Sequence, residues 1–174
     1  EQAILSGRVV DRTIRPLFPG HIRNEVQVII TILSIEGDDP DVIAVNAASL
    51  ALAVSDIPWN GPASAVRIGM NRETGEYIVN PTYLERNNGS RLDRFARGKD
   101  GNINMIAVGA HEMSEEKLAD ALAYASKEIE QMQAFQKSIV EKRGKTKRSL
   151  PAPEIPAELS ALWSEMIEPT FADV

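Results

Sequence analysis

No cysteine occurs in the 174 residues, which excludes disulfides, thiolate metal sites and cysteine nucleophiles. No run of 18 apolar residues and no signal peptide is present, so a cytoplasmic location without a membrane partner is the expectation. There is no internal repeat and no low-complexity tract. Neither common glycine-rich phosphate loop is found, nor a zinc signature, nor a recognisable Ser-His-Asp ordering. The chain has two histidines. His21 sits in a proline-glycine turn, and His111 precedes Glu112 with no second histidine to complete HExxH, so both read as surface or capping residues. Positive charge is not in excess either. A formal net charge of −6 rules out a generic nucleic-acid coat, and any anion binding must come from a local patch.

What is present suits a folded protein. Hydrophobic residues make up 43% of the chain, enough for one core and the start of a second unit. The sequence opens on Glu1-Gln2 and enters helix-like sequence at once, which reads as a piece of a longer polypeptide. Within GRVVDRTIRPLF (7–18), Arg8, Arg12 and Arg15 fall within about 60° of one another on a helical wheel. Val10, Ile14 and Leu17 take the opposite side, and only Asp11 is close enough to offset the charge.

Pro16 and Pro19-Gly20 end this helix. EVQVIITILSI (25–35) then predicts a strand, with Val26, Val28, Ile30 and Ile32 on one face. From Asp41, VIAVNAASLALAVS predicts a buried helix ending before Pro58. Asp38, Asp39 and Asp41 at its start read as caps that favour the helix dipole in preference to metal ligands. SAVRIGM (64–70) and EYIVNPT (76–82) predict a hairpin around Gly75, and RLDRFARG (91–98) and NINMIAVGA (102–110) predict two further strands. Ser114 then caps a long helix running to about Arg143. Its apolar stripe is Leu118, Leu122, Ala125, Ile129, Met132, Phe135 and Ile139. KRGKTKRSLPAPEIP (142–156), five basic residues followed by three prolines, reads as a linker into another helical unit.

No self-contained catalytic constellation emerges. Asp93 and Asp100 are candidates for phosphoryl-transfer chemistry by residue type alone. The distinctive feature is arginine: Arg8, Arg12 and Arg15 on one face, Arg23 after the turn, Arg67 in a strand. Its planar fork of donors suits phosphate or RNA. The competing reading is a set of surface arginines bridged to the 25 acids of the chain.

RVVDRTIRPLFP, RNEVQVIITILS, DPDVIAVNAASLALAVSDIPWNGPASAVRIG, YIVNPT and NMIAVGAHEMSEEKLADAL together closely resemble the bacterial polynucleotide phosphorylases. The match lies in the first of that family's two ribonuclease-PH-like cores. The resemblance implies an α+β fold of the ribosomal-protein-S5-domain-2 type, a mixed sheet packed with helices, followed by the beginning of an all-α domain. The expected division is 1–143 for the C-terminal part of the first core, 144–156 for the linker and 157–174 for the helical domain. RLDRFARG departs from the family by placing Arg94 and Arg97 where it reads apolar, which questions how deeply that strand is buried.

The activity implied is phosphate-dependent 3′-to-5′ exoribonuclease action that releases nucleoside diphosphates. Inorganic phosphate would be the co-substrate, and Mg2+ would be bound in the second core, outside this chain. A homotrimer around single-stranded RNA is implied, with RNA-degradation complexes as further partners. Carried over residue by residue, Arg8, Arg12, Arg15 and Arg67 would bind RNA or phosphate, with Asp11 orienting its neighbours. The alternative is a non-catalytic RNA-binding or scaffold subunit of an exosome-like ring. A third reading has the arginine face paired with carboxylates of another copy.

Overall fold

The structure is a computed structural model that describes residues 2–71, 73–87, 92–110, 113–152 and 154–171, with Gln2 and Arg94 described in their backbone alone. The expected roles of His111 and of the Arg94 side chain therefore lie outside what is described. Helix α1 (Gln2–Ile14) gives way to a 3₁₀ turn at Arg15–Leu17, where Pro16 stops the regular helix. Val10 and Ile14 are buried in one apolar cluster with Val45, Ala48 and Leu52 of helix α2 (Pro40–Val54). Asp39 starts α2 as its cap: its Oδ1 accepts from the Asp41 amide at 2.9 Å, and Pro40 follows at the first helical position. That position has no hydrogen-bond donor to lose.

After α2 the chain folds back through the DIPWNGP stretch. Trp59 is buried, and its Nε1 donates to the Ile14 carbonyl at 2.9 Å. The ring lies where a side chain on Gly61 would start, so a Cβ there would fall inside the Trp59 ring. Four strands follow: β1 (Ser64–Met70), β2 (Tyr77–Val79), β3 (Leu92–Lys99) and β4 (Asn102–Ala110), with the short helix α3 (Tyr83–Asn87) between β2 and β3. They form one sheet in the order β2-β1-β3-β4, all three pairings antiparallel. Asp100 and Gly101, with φ of 50° and 76°, make the tight turn between β3 and β4. Two successive positive φ values are what a two-residue hairpin of the right twist requires.

Alternation divides the sheet's faces. Ala65 and Phe95 join the α1/α2 cluster, while Val66, Ile68 and Ala96 pack against Ala125 and Ile129 of helix α4 (Glu115–Arg143). The boundaries of α4 match expectation, but its buried line does not. Ala121, Ala125, Ile129, Gln133 and Gln136 are buried, while Phe135 is 58% exposed. The glutamines displace the apolar stripe because their amides satisfy main-chain groups in the core. Gln133 donates to the Pro62 carbonyl at 2.7 Å and accepts from the Asp100 amide at 2.9 Å. Gln136 donates to the Ala63 carbonyl and Ser64 Oγ and accepts from Ser49 Oγ.

One further expectation is corrected, and one segment is tied down more closely than its composition suggests. Residues 25–35 form no strand among the described residues. Val26 and Val28 pack partly against the core, yet Ile29 and Leu33 are 77% and 93% exposed. An alternating pattern selects a face, but a strand also needs a neighbouring backbone to pair with. The basic stretch after Gly144 is not a free linker. Lys145 N donates to the Val54 carbonyl and Arg148 N to the Asp56 carbonyl. Lys147 Nζ donates to the carbonyls of Leu52, Ala53 and Ser55 at 2.7, 3.0 and 2.7 Å, and Arg148 pairs with Asp56 at 2.6 Å. His21 contacts the Leu150 carbonyl at 3.1 Å. The end of a helix leaves carbonyls without partners, and a cation there is favourable. Lys147→Met should lower stability by about 1 kcal/mol and speed hydrogen exchange at the Lys145 and Arg148 amides. Unchanged exchange at both would show that Lys147 does not hold the strap.

Helices α5 (Ala157–Met166) and α6 (Glu168–Phe171) close the described chain, with Trp163 and Phe171 stacked at 6.2 Å. Among the described residues no helix is long and apolar enough to cross a membrane.

Candidate nucleic-acid interface

The amphipathic pattern of α1 is realised. Val10, Thr13 and Ile14 turn inward, and Arg8, Arg12 and Arg15 are exposed. The three arginines are not equivalent. Arg15 forks onto Asp11, Nε to Oδ2 at 3.1 Å and Nη2 to Oδ1 at 2.6 Å. That hydrogen bond, with the carboxylate charge behind it, raises the Arg15 pKa. Asp11 thus orients one arginine and neutralises it. Among the described residues no carboxylate forms an ion pair with Arg8 or Arg12. An open cleft of about 330 Å³ flanks the C-terminal end of this face, lined by Asp11, Arg15, Phe18, Arg23 and Asn24 among others.

Arg67 stands apart from the helix face. Its Nη1 donates to Asp93 Oδ1 at 2.7 Å, and its Nε lies 2.6 Å from Asp39 Oδ2, too poorly aligned to make a hydrogen bond. Arg86 closes the arrangement, with Nη1 on Asp39 at 3.1 Å and Nη2 on Asp93 at 2.6 Å. Two arginines and two aspartates from the start of α2, β1, α3 and β3 thus form a ring of zero net charge, in which the Arg67 and Asp39 side chains are 11% and 6% exposed. Each aspartate already meets two guanidinium groups. Neither is free to take a metal, and among the described residues no three His, Cys, Asp or Glu side chains are grouped as ligands.

Strand β3 is buried in spite of its arginines: Leu92, Phe95 and Ala96 are at most 2% exposed, and so is Arg97. Phe95 lies between two cations, Arg67 at 5.0 Å and Arg97 at 4.7 Å from its ring centroid. Arg97 Nη1 donates to the Val9 carbonyl at 2.7 Å and to Thr13 Oγ1 at 3.1 Å. Burial lowers the Arg97 pKa to about 10, with Arg12 and Arg67 adding to the effect and Asp41 opposing it. Sequence reasoning missed the ring of Asp39, Arg67, Arg86 and Asp93. The signal for it was Arg67, the one charged residue of strand β1, and Asp93, the one acid of strand β3.

The comparisons fit this geometry. The profile of the 3′ exoribonuclease family, domain 1, matches residues 1–58, and that of domain 2 of the same family matches residues 61–128. The polyribonucleotide nucleotidyltransferase of Syntrophomonas wolfei subsp. wolfei is 42% identical over 173 residues, which is 99% of this chain and 24% of the relative. Those of Acidobacterium capsulatum and Koribacter versatilis are 45% and 46% identical over 155 and 156 residues, covering 88% and 89% of this chain and 19% of each relative. The chain thus spans a quarter or less of the length of these relatives. Rice (Oryza sativa) Rrp46 shares the fold, with a TM-score of 0.53 at 18% identity over 62% of this chain and 51% of that one.

Proposed function

The chain belongs to the 3′ exoribonuclease family, and from that premise we propose that it forms part of a phosphate-dependent enzyme that shortens single-stranded RNA from its 3′ end, releasing nucleoside diphosphates. Its own share is to hold RNA. The chemistry, with inorganic phosphate as co-substrate and Mg2+ bound, belongs to residues beyond this chain. The enzyme acts in the cytoplasm as a homotrimer around the RNA and can join larger RNA-degrading assemblies.

One observation carries this reading: α1 exposes Arg8 and Arg12 one turn apart, with no carboxylate paired to either among the described residues. Side chains four residues apart on a helix lie about 5–6 Å from each other. Their guanidinium forks can therefore donate to neighbouring phosphates of one strand. Arg15 has spent its fork on Asp11 and adds a weaker contact. Arg67 supports the site from within its ion ring, holding the start of α2 to the sheet without touching RNA.

The test is the salt dependence of oligo(A) binding. Phosphate contacts to a single strand contribute about 0.7 each to the slope of log affinity against log salt. Arg8→Ala with Arg12→Ala should weaken binding and flatten the slope by about 1.4. Release of nucleoside diphosphates from poly(A) by an enzyme carrying the pair should fall in step. An unchanged slope would remove α1 from the RNA surface.

A further inference from the structure

A buried cation without a buried anion is unfavourable, and Arg97 is in that position. It is 1% exposed, its Nε has no hydrogen-bond partner, and no carboxylate pairs with it among the described residues. An apolar side chain of similar length would fill the same space without the desolvation cost. What Arg97 holds is helix α1. Its Nη1 donates to both the Val9 carbonyl and Thr13 Oγ1, and Thr13 Oγ1 donates in turn to the Val9 carbonyl at 2.9 Å. Three groups thus close a triangle on the inner side of one helical turn.

The outer side of that same turn carries the arginines. Arg8 directly precedes Val9, and Arg12 directly precedes Thr13, so the two rows lie about 100° apart around the helix axis. Fixing the inner row fixes the direction of the outer one. Apolar packing alone would not do so as tightly, because it is non-directional. Hydrogen bonds to a planar fork are directional. The fork is itself held against Phe95, whose ring also meets Arg67 of the ion ring. A chain of contacts therefore runs from Asp39 and Asp93 through Arg67 and Phe95 to Arg97 and α1.

We propose that Arg97 is a positioning residue for RNA binding: by pinning Val9 and Thr13 it sets the rotation of α1, and so the direction in which Arg8 and Arg12 present their guanidinium groups to phosphate. The proposal rests on the reading that the α1 face meets RNA. Arg97 does not touch RNA itself.

The experiment measures binding of fluorescent oligo(A) to the full chain across a salt series, alongside far-ultraviolet circular dichroism and melting. Arg97→Met should reduce affinity roughly five- to tenfold and flatten the salt slope while the helical signal is kept. Arg97→Lys, which restores a charge and an ammonium donor but not the planar fork, should recover part of both. Thr13→Val keeps the cation and the volume and removes only the hydroxyl, so it should shift affinity in the same direction by less. It also decides the matter should Arg97→Met fail to fold. A merely structural Arg97 would lower the melting temperature and leave affinity and slope of the folded protein unchanged. That result in Arg97→Met or Thr13→Val, with Arg8→Ala/Arg12→Ala still impaired, overturns the proposal and spares the RNA face. If the double variant binds as the parent does, the RNA face and the proposal fall together.

Discussion

Asp39→Ala is expected to lower folding stability by about 3–5 kcal/mol. The carboxylate serves three partners at once: the Asp41 amide through Oδ1, and Arg67 and Arg86 through Oδ2. Removing it leaves Arg67, whose side chain is 11% exposed, facing Asp93 with one charge too many in the ring. The first turn of α2 loses its cap as well, a loss of about 1 kcal/mol by itself. Asp39→Asn separates the two contributions, since an amide oxygen can still accept from the Asp41 amide but carries no charge. Chemical denaturation should place Asp39→Asn well below the parent and above Asp39→Ala. A double-mutant cycle with Arg67→Met should recover part of the loss, because the stranded cation is removed with its partner. If the two changes simply add, the ring is not a coupled unit.

Trp59→Ala should cost a similar amount, about 3–5 kcal/mol. The ring is 6% exposed, packs beside Phe18 at 6.4 Å and joins the cluster that binds α1 to α2. Truncation opens a cavity there and leaves the Ile14 carbonyl without its indole donor. Trp59→Phe tests the smaller part, keeping most of the volume and losing that hydrogen bond. The neighbouring glycine provides an independent check from the opposite direction. Gly61→Ala leaves the tryptophan intact but drives a methyl group into it, and overpacking of this kind typically costs about 1–3 kcal/mol. Loss of stability in Trp59→Ala without loss in Gly61→Ala would mean that the ring has room to move, contrary to the packing described.

Much of the fold was legible because its signals are local. β1 and β4 fall where alternation and β-branched residues put them, and β3 begins and ends within one residue of expectation. α4 starts just after Ser114, whose side chain makes no capping bond, and runs to Arg143 as its periodicity predicts. The misreadings share a cause: each depends on a partner distant in sequence. Residues 25–35 alternate as a strand does, but alternation does not supply a neighbouring backbone. Gln133 and Gln136 look like solvent-facing residues, because nothing in their vicinity announces the main-chain groups of residues 62, 63 and 100 and the hydroxyls of Ser49 and Ser64 that receive them. Lys147 looks like linker charge until the last carbonyls of α2 arrive beside it. The candidate site divides the same way. The α1 arginines were visible from spacing within one helix, whereas the ion ring joins positions 39, 67, 86 and 93. Arg97 read as an anomaly until the main chain of α1 came to lie against it.

The two buried glutamines also act as a ruler. Five hydrogen bonds, to Pro62, Ala63, Ser64, Ser49 and Asp100, meet two side chains of α4 less than one turn apart. A purely apolar helix face can slide by a turn, about 5.4 Å, and still find apolar neighbours. This one cannot, because such a shift would break all five bonds at once and bury their polar groups unpaired. The position of the 29-residue helix along the sheet is thereby graduated at its C-terminal half. Gly144 is delivered beside the end of α2, within one residue of the first bond of the Lys147 strap.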